Sequence, residues 1–213
     1  MKKSEIVNMF SHLAGALGMA ATTVFLINTA RSHQKCLLVV IIYGLCSILL
    51  FSASALYHFK KKADNEKSIW RILDHISIYI MIAGTYTPVC FLSLKSTWWI
   101  TILSIQWSLA VLGLVFELFR IRAPRWLTTS IYLLMGWVAI VAIVPIFKGI
   151  PPISFAFFVT GGVFYSSGAI IYALKKPNPF PGFLGFHEIF HFLVLIATGF
   201  FVAMIYNILV GVV

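Results

Sequence analysis

Seven stretches, each long and apolar enough to cross a bilayer, constrain this chain more than any other feature. They run over residues 7–30, 36–58, 70–94, 97–118, 126–147, 152–174 and 184–211. A membrane-spanning helix needs about 20 mainly apolar residues to cross about 30 Å of hydrocarbon. Charges and turn residues mark the connectors at 31–35, 59–69, 95–96, 119–125, 148–151 and 175–183. In hydrocarbon every backbone polar group must be satisfied within the segment or a closed sheet, and the two-residue alternation of a membrane β-barrel is missing. The sequence therefore predicts an all-α, polytopic fold: a single seven-transmembrane-helix domain over 1–213. Composition agrees, with 61% hydrophobic and 10% charged residues against about 25% charged in ordinary soluble domains. Too little of the chain is left over for a separate soluble domain.

The distribution of charge orients the bundle. Twelve Lys and Arg residues fall on one side, at Lys2, Lys3, Lys60, Lys61, Lys62, Lys67, Arg71, Arg120, Arg122, Arg125, Lys175 and Lys176. Four fall on the other, at Arg31, Lys35, Lys95 and Lys148. The positive-inside rule predicts a cytoplasmic N-terminus and, after seven crossings, an outside C-terminus. The net charge of +10 is then a topology signal with attraction to anionic headgroups, and calls for no nucleic-acid partner. The plasma membrane of a bacterial cell is the expected location. The opening MKKSEIVNMF has the look of a signal-peptide n-region. The apolar run that follows reaches Asn28 and Glu5 precedes it, so an uncleaved first span is expected.

Cys36, Cys46 and Cys90 form no C-x-x-C pair and read as small packing residues. Pro88 and Pro145 fall inside spans, where they should kink helices. Ala14, Gly18, Gly161 and Gly168 read as sites of close helix approach.

Ionisable groups inside spans cost about 2.5–3.5 kcal/mol at a helix centre, so each needs an explanation. His58 ends the second span, Asp74 lies one turn into the third, and His187 and His191 open the seventh. The loop charges place all four on one side at similar depth. His187 and His191 are four apart in HEIFH, so both imidazoles project from one helix face, the two-ligand spacing of a helical zinc site. His58 supplies a third imidazole, and three histidines leave the fourth tetrahedral position to water, as in catalytic zinc sites. Asp74 is expected to orient that water and serve as general base, and Ser54, one turn before His58, to bond the water, a ligand or a substrate carbonyl. His12 and His33 read as interfacial residues reaching for the headgroups. His75 points about 100° away from Asp74 around the helix and reads as outward or hydrogen-bonded. Glu188 completes an H-E-x-x-H match, yet with Asp74 competing as base it reads as a rim or salt-bridge residue. Glu117 is expected to pair with Arg120 or Arg122.

With SALYH (Ser54–His58), LDHISIYIMIAGTYTP (Leu73–Pro88) and HEIFH (His187–His191) in this order, the chain resembles the hemolysin III family, the bacterial branch of the progestin and adipoQ receptor proteins. The resemblance covers essentially the whole chain. It implies seven helices, a cytoplasmic N-terminus and a zinc site held by His58, His187 and His191, with the family's acid on Asp74 and its serine on Ser54. Where the family pattern often has a further histidine, Phe201 stands; it is not a metal ligand in the family. Family membership carries two labels, a pore-forming hemolysin and a zinc-dependent hydrolase of lipid amides linked to lipid homeostasis. A uniformly apolar chain with a positive-inside loop pattern favours the second. A metal-stabilised receptor or regulator without catalysis would close the fourth metal position with a protein ligand, and a channel would need a polar stripe through several spans. The expected partner is a membrane lipid, as substrate or ligand.

Overall fold

A computed structural model describes residues 2–31, 34–63, 66, 68–95, 97–119 and 124–212. His33, Lys67, Arg120 and Arg122 lie outside the described residues, and so do the readings made on them. The elements in chain order are α1 (Lys3–Thr29), α2 (Gln34–Lys60), α3 (Ile69–Ser93), α4 (Thr97–Leu118) and α5 (Arg125–Trp137). A 3₁₀ segment (Val138–Ala142) follows, then α6 (Ile143–Gly149), α7 (Pro152–Leu174) and α8 (Phe186–Val212). Seven of these units are long and apolar enough to cross a membrane, with α5, the 3₁₀ segment and α6 together forming the fifth.

Local chemistry sets several helix ends. The Ser68 hydroxyl accepts from Arg71 N at 3.3 Å and caps α3, satisfying one of the N–H groups that a helix start leaves orphaned. Pro152 occupies the first turn of α7, where its missing N–H costs nothing. That helix ends at Lys175 in the left-handed conformation, φ 57°. In the turn before α3, Glu66 Oε2 accepts from Lys62 N at 2.9 Å and Ala63 N at 3.4 Å. The Lys62 amide leads the set of contacts that hold its carboxyl below the ordinary carboxylate range.

The fifth span breaks where its proline requires. Pro145 cannot donate to the carbonyl of Val141 and its ring crowds that turn; the 3₁₀ segment that contains Val141 ends three residues before it. Backbone groups freed by the break find partners on neighbouring helices. The Tyr86 hydroxyl of α3 donates to Gly136 O at 2.6 Å and accepts from Ala139 N at 2.7 Å. Gln106 of α4 donates to Met135 O at 2.8 Å. The close of α6 is equally constrained: a Cβ on Gly149 would lie 1.7 Å from the carbonyl oxygen of Ser93, so only glycine lets these two helix ends meet.

Packing arranges the spans as a ring. α3 touches α2, α4, α5, α6 and α8; α8 also touches α7 and α1, and α1 touches α2. The first and last spans thus close a circle of six, while α4 packs on the outside of α3. Hydroxyls inside the helices bond back one turn, as at Thr23, Ser47, Thr85 and Thr198, which gives each of these protons a partner within its own helix. Cys36, Cys46 and Cys90 are free and buried. Of the small residues expected at close approaches, Gly161 and Gly168 do face α8, against Phe201 and Leu193. Ala14 is exposed and a Cβ on Gly18 would meet nothing within 4 Å; the tight contact on α1 is Gly15, whose Cβ would come within 2.6 Å of Leu195.

Tyr86→Phe tests the bridged helix break. Loss of the hydroxyl leaves Gly136 O and Ala139 N without that partner, and should destabilise the fold by about 1–2 kcal/mol. Thermal unfolding in detergent should show a lower Tm; an unchanged Tm would mean that the break is satisfied another way.

Candidate metal centre

The last turn of α2 and the first two turns of α8 bring three imidazoles together. His58, His187 and His191 each offer one ring nitrogen, and these atoms all lie within 4.8 Å of one another. Nε2 of His187 and Nε2 of His191 are 3.1 Å apart. The rings of His58 and His191 meet edge to face, centroids 4.9 Å apart. Among the described residues no other His, Cys, Asp or Glu joins this group.

The donor set fits a zinc ion. Ligand nitrogens at about 2.0–2.1 Å from tetrahedral zinc lie about 3.3 Å from one another, close to the 3.1 Å between the two α8 histidines. Nε2 of His58 is buried with no hydrogen-bond partner in the described structure, an expensive arrangement for a bare nitrogen and a suitable one for a metal ligand. Imidazole donors without a cysteine in the group suit zinc, and equally copper, iron or nickel.

Four further residues surround the histidines, and the sequence reading assigned none of them this place. Glu5 Oε2 lies 2.6 Å from His58 Nδ1, and its Oε1 accepts from Lys61 Nζ at 2.5 Å. Asn8 Nδ2 donates to Glu188 Oε1 at 2.7 Å. His12 is buried, stacked on His191 with centroids 3.6 Å apart and planes 13° from parallel. The headgroup reading of His12 is therefore corrected: the face of α1 that carries it is turned into the bundle. Glu188 is corrected too. It is buried, and its Oε2 accepts from Gly185 N at 2.7 Å, the backbone half of a capping box at the start of α8. It is buried rather than at a rim, and among the described residues it makes no salt bridge. Glu117 pairs with His75, Oε2 to Nδ1 at 3.5 Å, joining α4 to α3.

A cavity of about 590 Å³ occupies the middle of the ring. Ser54, Arg71, Asp74, Arg125, His187 and His191 line its polar end, while Ile78, Met81, Ile143, Phe158, Val194 and Phe201 are among those lining its apolar body. None of the lining comes from α4. Asp74 is half-buried and Ser54 is buried; both share this cavity with two of the histidines but stand outside the three-nitrogen group. Arg125 stacks on the Tyr172 ring at 4.6 Å, and its Nη1 has no hydrogen-bond partner in the described structure. Trp137, Ile140, Val159 and Val163 line the cavity and are also more than 40% exposed on the bundle surface. These apolar side chains give the wall between α5 and α7 a composition that suits lipid.

Comparison with known proteins agrees with this architecture. The family model described as Haemolysin-III related matches residues 1–202. The chain is 38% identical to the Hemolysin-3 homolog of Bacillus subtilis over 195 residues, covering 91% of this chain and 88% of that one. It is 37% identical to Hemolysin-3 of Bacillus cereus, over 91% and 86% of the two chains. A more distant similarity, 25% identity over 92% of this chain and 68% of the other, links it to an ADIPOR-like receptor of Saccharomyces cerevisiae.

Elemental analysis of the purified protein should find about one zinc per chain, as a single three-histidine site requires. Each of His58→Ala, His187→Ala and His191→Ala should lose it, with a lower Tm because the metal ties α2 to α8. Full retention in His58→Ala would remove α2 from the site.

Proposed function

The chain belongs to the haemolysin III family, and from that premise we propose that it is a zinc-dependent hydrolase of a lipid amide, a ceramidase-like enzyme of membrane lipid homeostasis. One juxtaposition carries the reading. His187, His191 and Asp74 line the polar end of a cavity whose apolar body is walled by Ile140, Val159 and Val163, and His58 stands beside the two histidines. An acyl chain entering between α5 and α7 lies along Ile140, Ile143, Met81 and Phe158 and carries its amide to the histidine end. His58, His187 and His191 hold the metal. When bound, zinc lowers the pKa of water toward ~7 and places positive charge opposite the carbonyl oxygen.

The chain's own residues do the rest. Asp74 takes a proton as water adds to the carbonyl carbon, then returns it to the amide nitrogen as the C–N bond breaks, releasing a fatty acid and an amine. The Ser54 hydroxyl donates to the carbonyl oxygen, and the unpaired Arg125 Nη1 offers a further donor at that end. A carboxylate in this position serves better as base than as ligand, because a fourth protein ligand would fill the place that substrate water needs. The mainly apolar lining of the cavity's body, with Ile78, Met81, Ile143, Phe158, Val194 and Phe201, favours hydrolysis over conduction.

The loop charges orient the protein in the plasma membrane with its N-terminus and zinc site toward the cytoplasm and its C-terminus outside. A reporter active only in the cytoplasm, fused after the last residue, should stay silent; a strong signal would reverse that orientation or the crossing count.

Catalysis is tested by supplying long-chain N-acyl lipids to the zinc-loaded protein in lipid nanodiscs and measuring fatty acid release. The wild-type chain should release fatty acid, and Asp74→Asn should keep zinc and fold while slowing release by about 10²-fold or more. Loss of zinc in Asp74→Asn would make Asp74 a ligand. Undiminished biological activity in a zinc-retaining Asp74→Asn strain would reject the enzyme in favour of a receptor or regulator without catalysis.

A further inference from the structure

The buried face of α1 begins Glu5, Asn8, His12, Ala16, Met19, a 3-4 spacing that keeps all five on one stripe. The first three are polar, and each touches the neighbourhood of the histidine group. Glu5 meets His58, Asn8 meets Glu188 between the two α8 histidines, and His12 stacks on His191. Three polar residues on a membrane helix, all buried and all converging on one centre, exceed what packing α1 against α2 requires.

Glu5 has the most specific geometry. Both of its oxygens are occupied, Oε1 by the Lys61 ammonium and Oε2 by His58 Nδ1. A carboxylate held by an ammonium is ionised and can only accept hydrogen bonds. The proton between Glu5 and His58 therefore belongs to Nδ1, which in the neutral tautomer puts the ring's lone pair on Nε2. That nitrogen is the buried one without a partner.

We propose that Glu5 is a positioning residue for the metal centre: it fixes the tautomer and the ring plane of His58, so that Nε2 faces the other two histidines before any metal arrives. The first helix thereby becomes part of the site while contributing no ligand. Carboxylates that accept from the far nitrogen of a ligating histidine raise its basicity and fix its orientation, and their loss typically weakens metal binding by 10–100-fold. This inference rests on the three-histidine zinc reading and is tested apart from it.

Zinc affinity of the purified full-length protein is measured by competition with a chelator, for the wild type, Glu5→Ala, Glu5→Gln and Lys61→Met. Glu5→Ala should bind 10–100-fold more weakly. Glu5→Gln retains an acceptor for Nδ1 and should fall between the two. Lys61→Met leaves the acceptor in place and should lie nearer the wild type than Glu5→Ala does. In the zinc-free proteins, the ¹⁵N resonances of His58 should report Nδ1–H in the wild type and a shift toward Nε2–H in Glu5→Ala. A purely structural role would not move that signature. Glu5→Ala binding zinc as tightly as the wild type, or leaving the His58 tautomer unchanged, would overturn the proposal. So would Lys61→Met weakening binding as much as Glu5→Ala, because charge at the helix end would then suffice. A wild-type chain that binds no zinc would instead sink the metal centre itself.

Discussion

Lipid offers no hydrogen bonds, and that one constraint organises the molecule. A polar group carried into hydrocarbon must bring its partner with it or face the bundle interior. The described structure meets this demand in two ways. Hydroxyls fold back onto their own helices, and the backbone groups freed by the proline-broken fifth span are taken up by Tyr86 and Gln106. The ionisable groups cannot be satisfied so locally. They converge instead at one end of the bundle, where Glu5, His12, His58, His187, Glu188 and His191 touch one another or a shared neighbour.

That convergence is possible because the first and last spans are adjacent. Contact of α1 with α8 closes a ring of six spans around the cavity and leaves α4 outside. The ring gives the site both of its properties. Its polar end collects histidines, Asp74 and cationic side chains, while its apolar body is bounded by side chains that include the exposed Trp137, Ile140, Val159 and Val163. Chemistry on an amphipathic substrate needs such a gradient, since the acyl chain never has to enter water.

Much of this was legible in the sequence, and the misses fall at helix starts and at contacts between spans. Hydropathy finds the spans to within a few residues, and Pro145 announces the break in the fifth. The i, i+4 histidines and the common depth of His58 anticipate the three-nitrogen group, because both depend only on helix geometry and crossing number. Glu5 escaped because hydropathy starts the first span at residue 7, whereas the helix starts at Lys3 and carries its acid one turn further into the bundle end. The signal that could have found it is the polar stripe at 5, 8 and 12, which becomes meaningful once that face is known to be buried. His12 was read as interfacial because which face of a membrane helix meets protein is decided by its neighbours. Glu188 was misplaced for a simpler reason: with the last helix starting at Phe186, it falls at the third helical position, where it caps. The His75–Glu117 pair joins two different spans, a kind of contact that loop charges do not reveal.

Zinc-edge X-ray absorption on the purified, full-length protein tests the three-histidine centre most directly. The account predicts about one zinc per chain with a first shell of nitrogen and oxygen, three of the scatterers being imidazoles at about 2.0–2.1 Å, and no sulfur. A sulfur shell at about 2.3 Å, or a zinc ion lacking imidazole scattering, would contradict it.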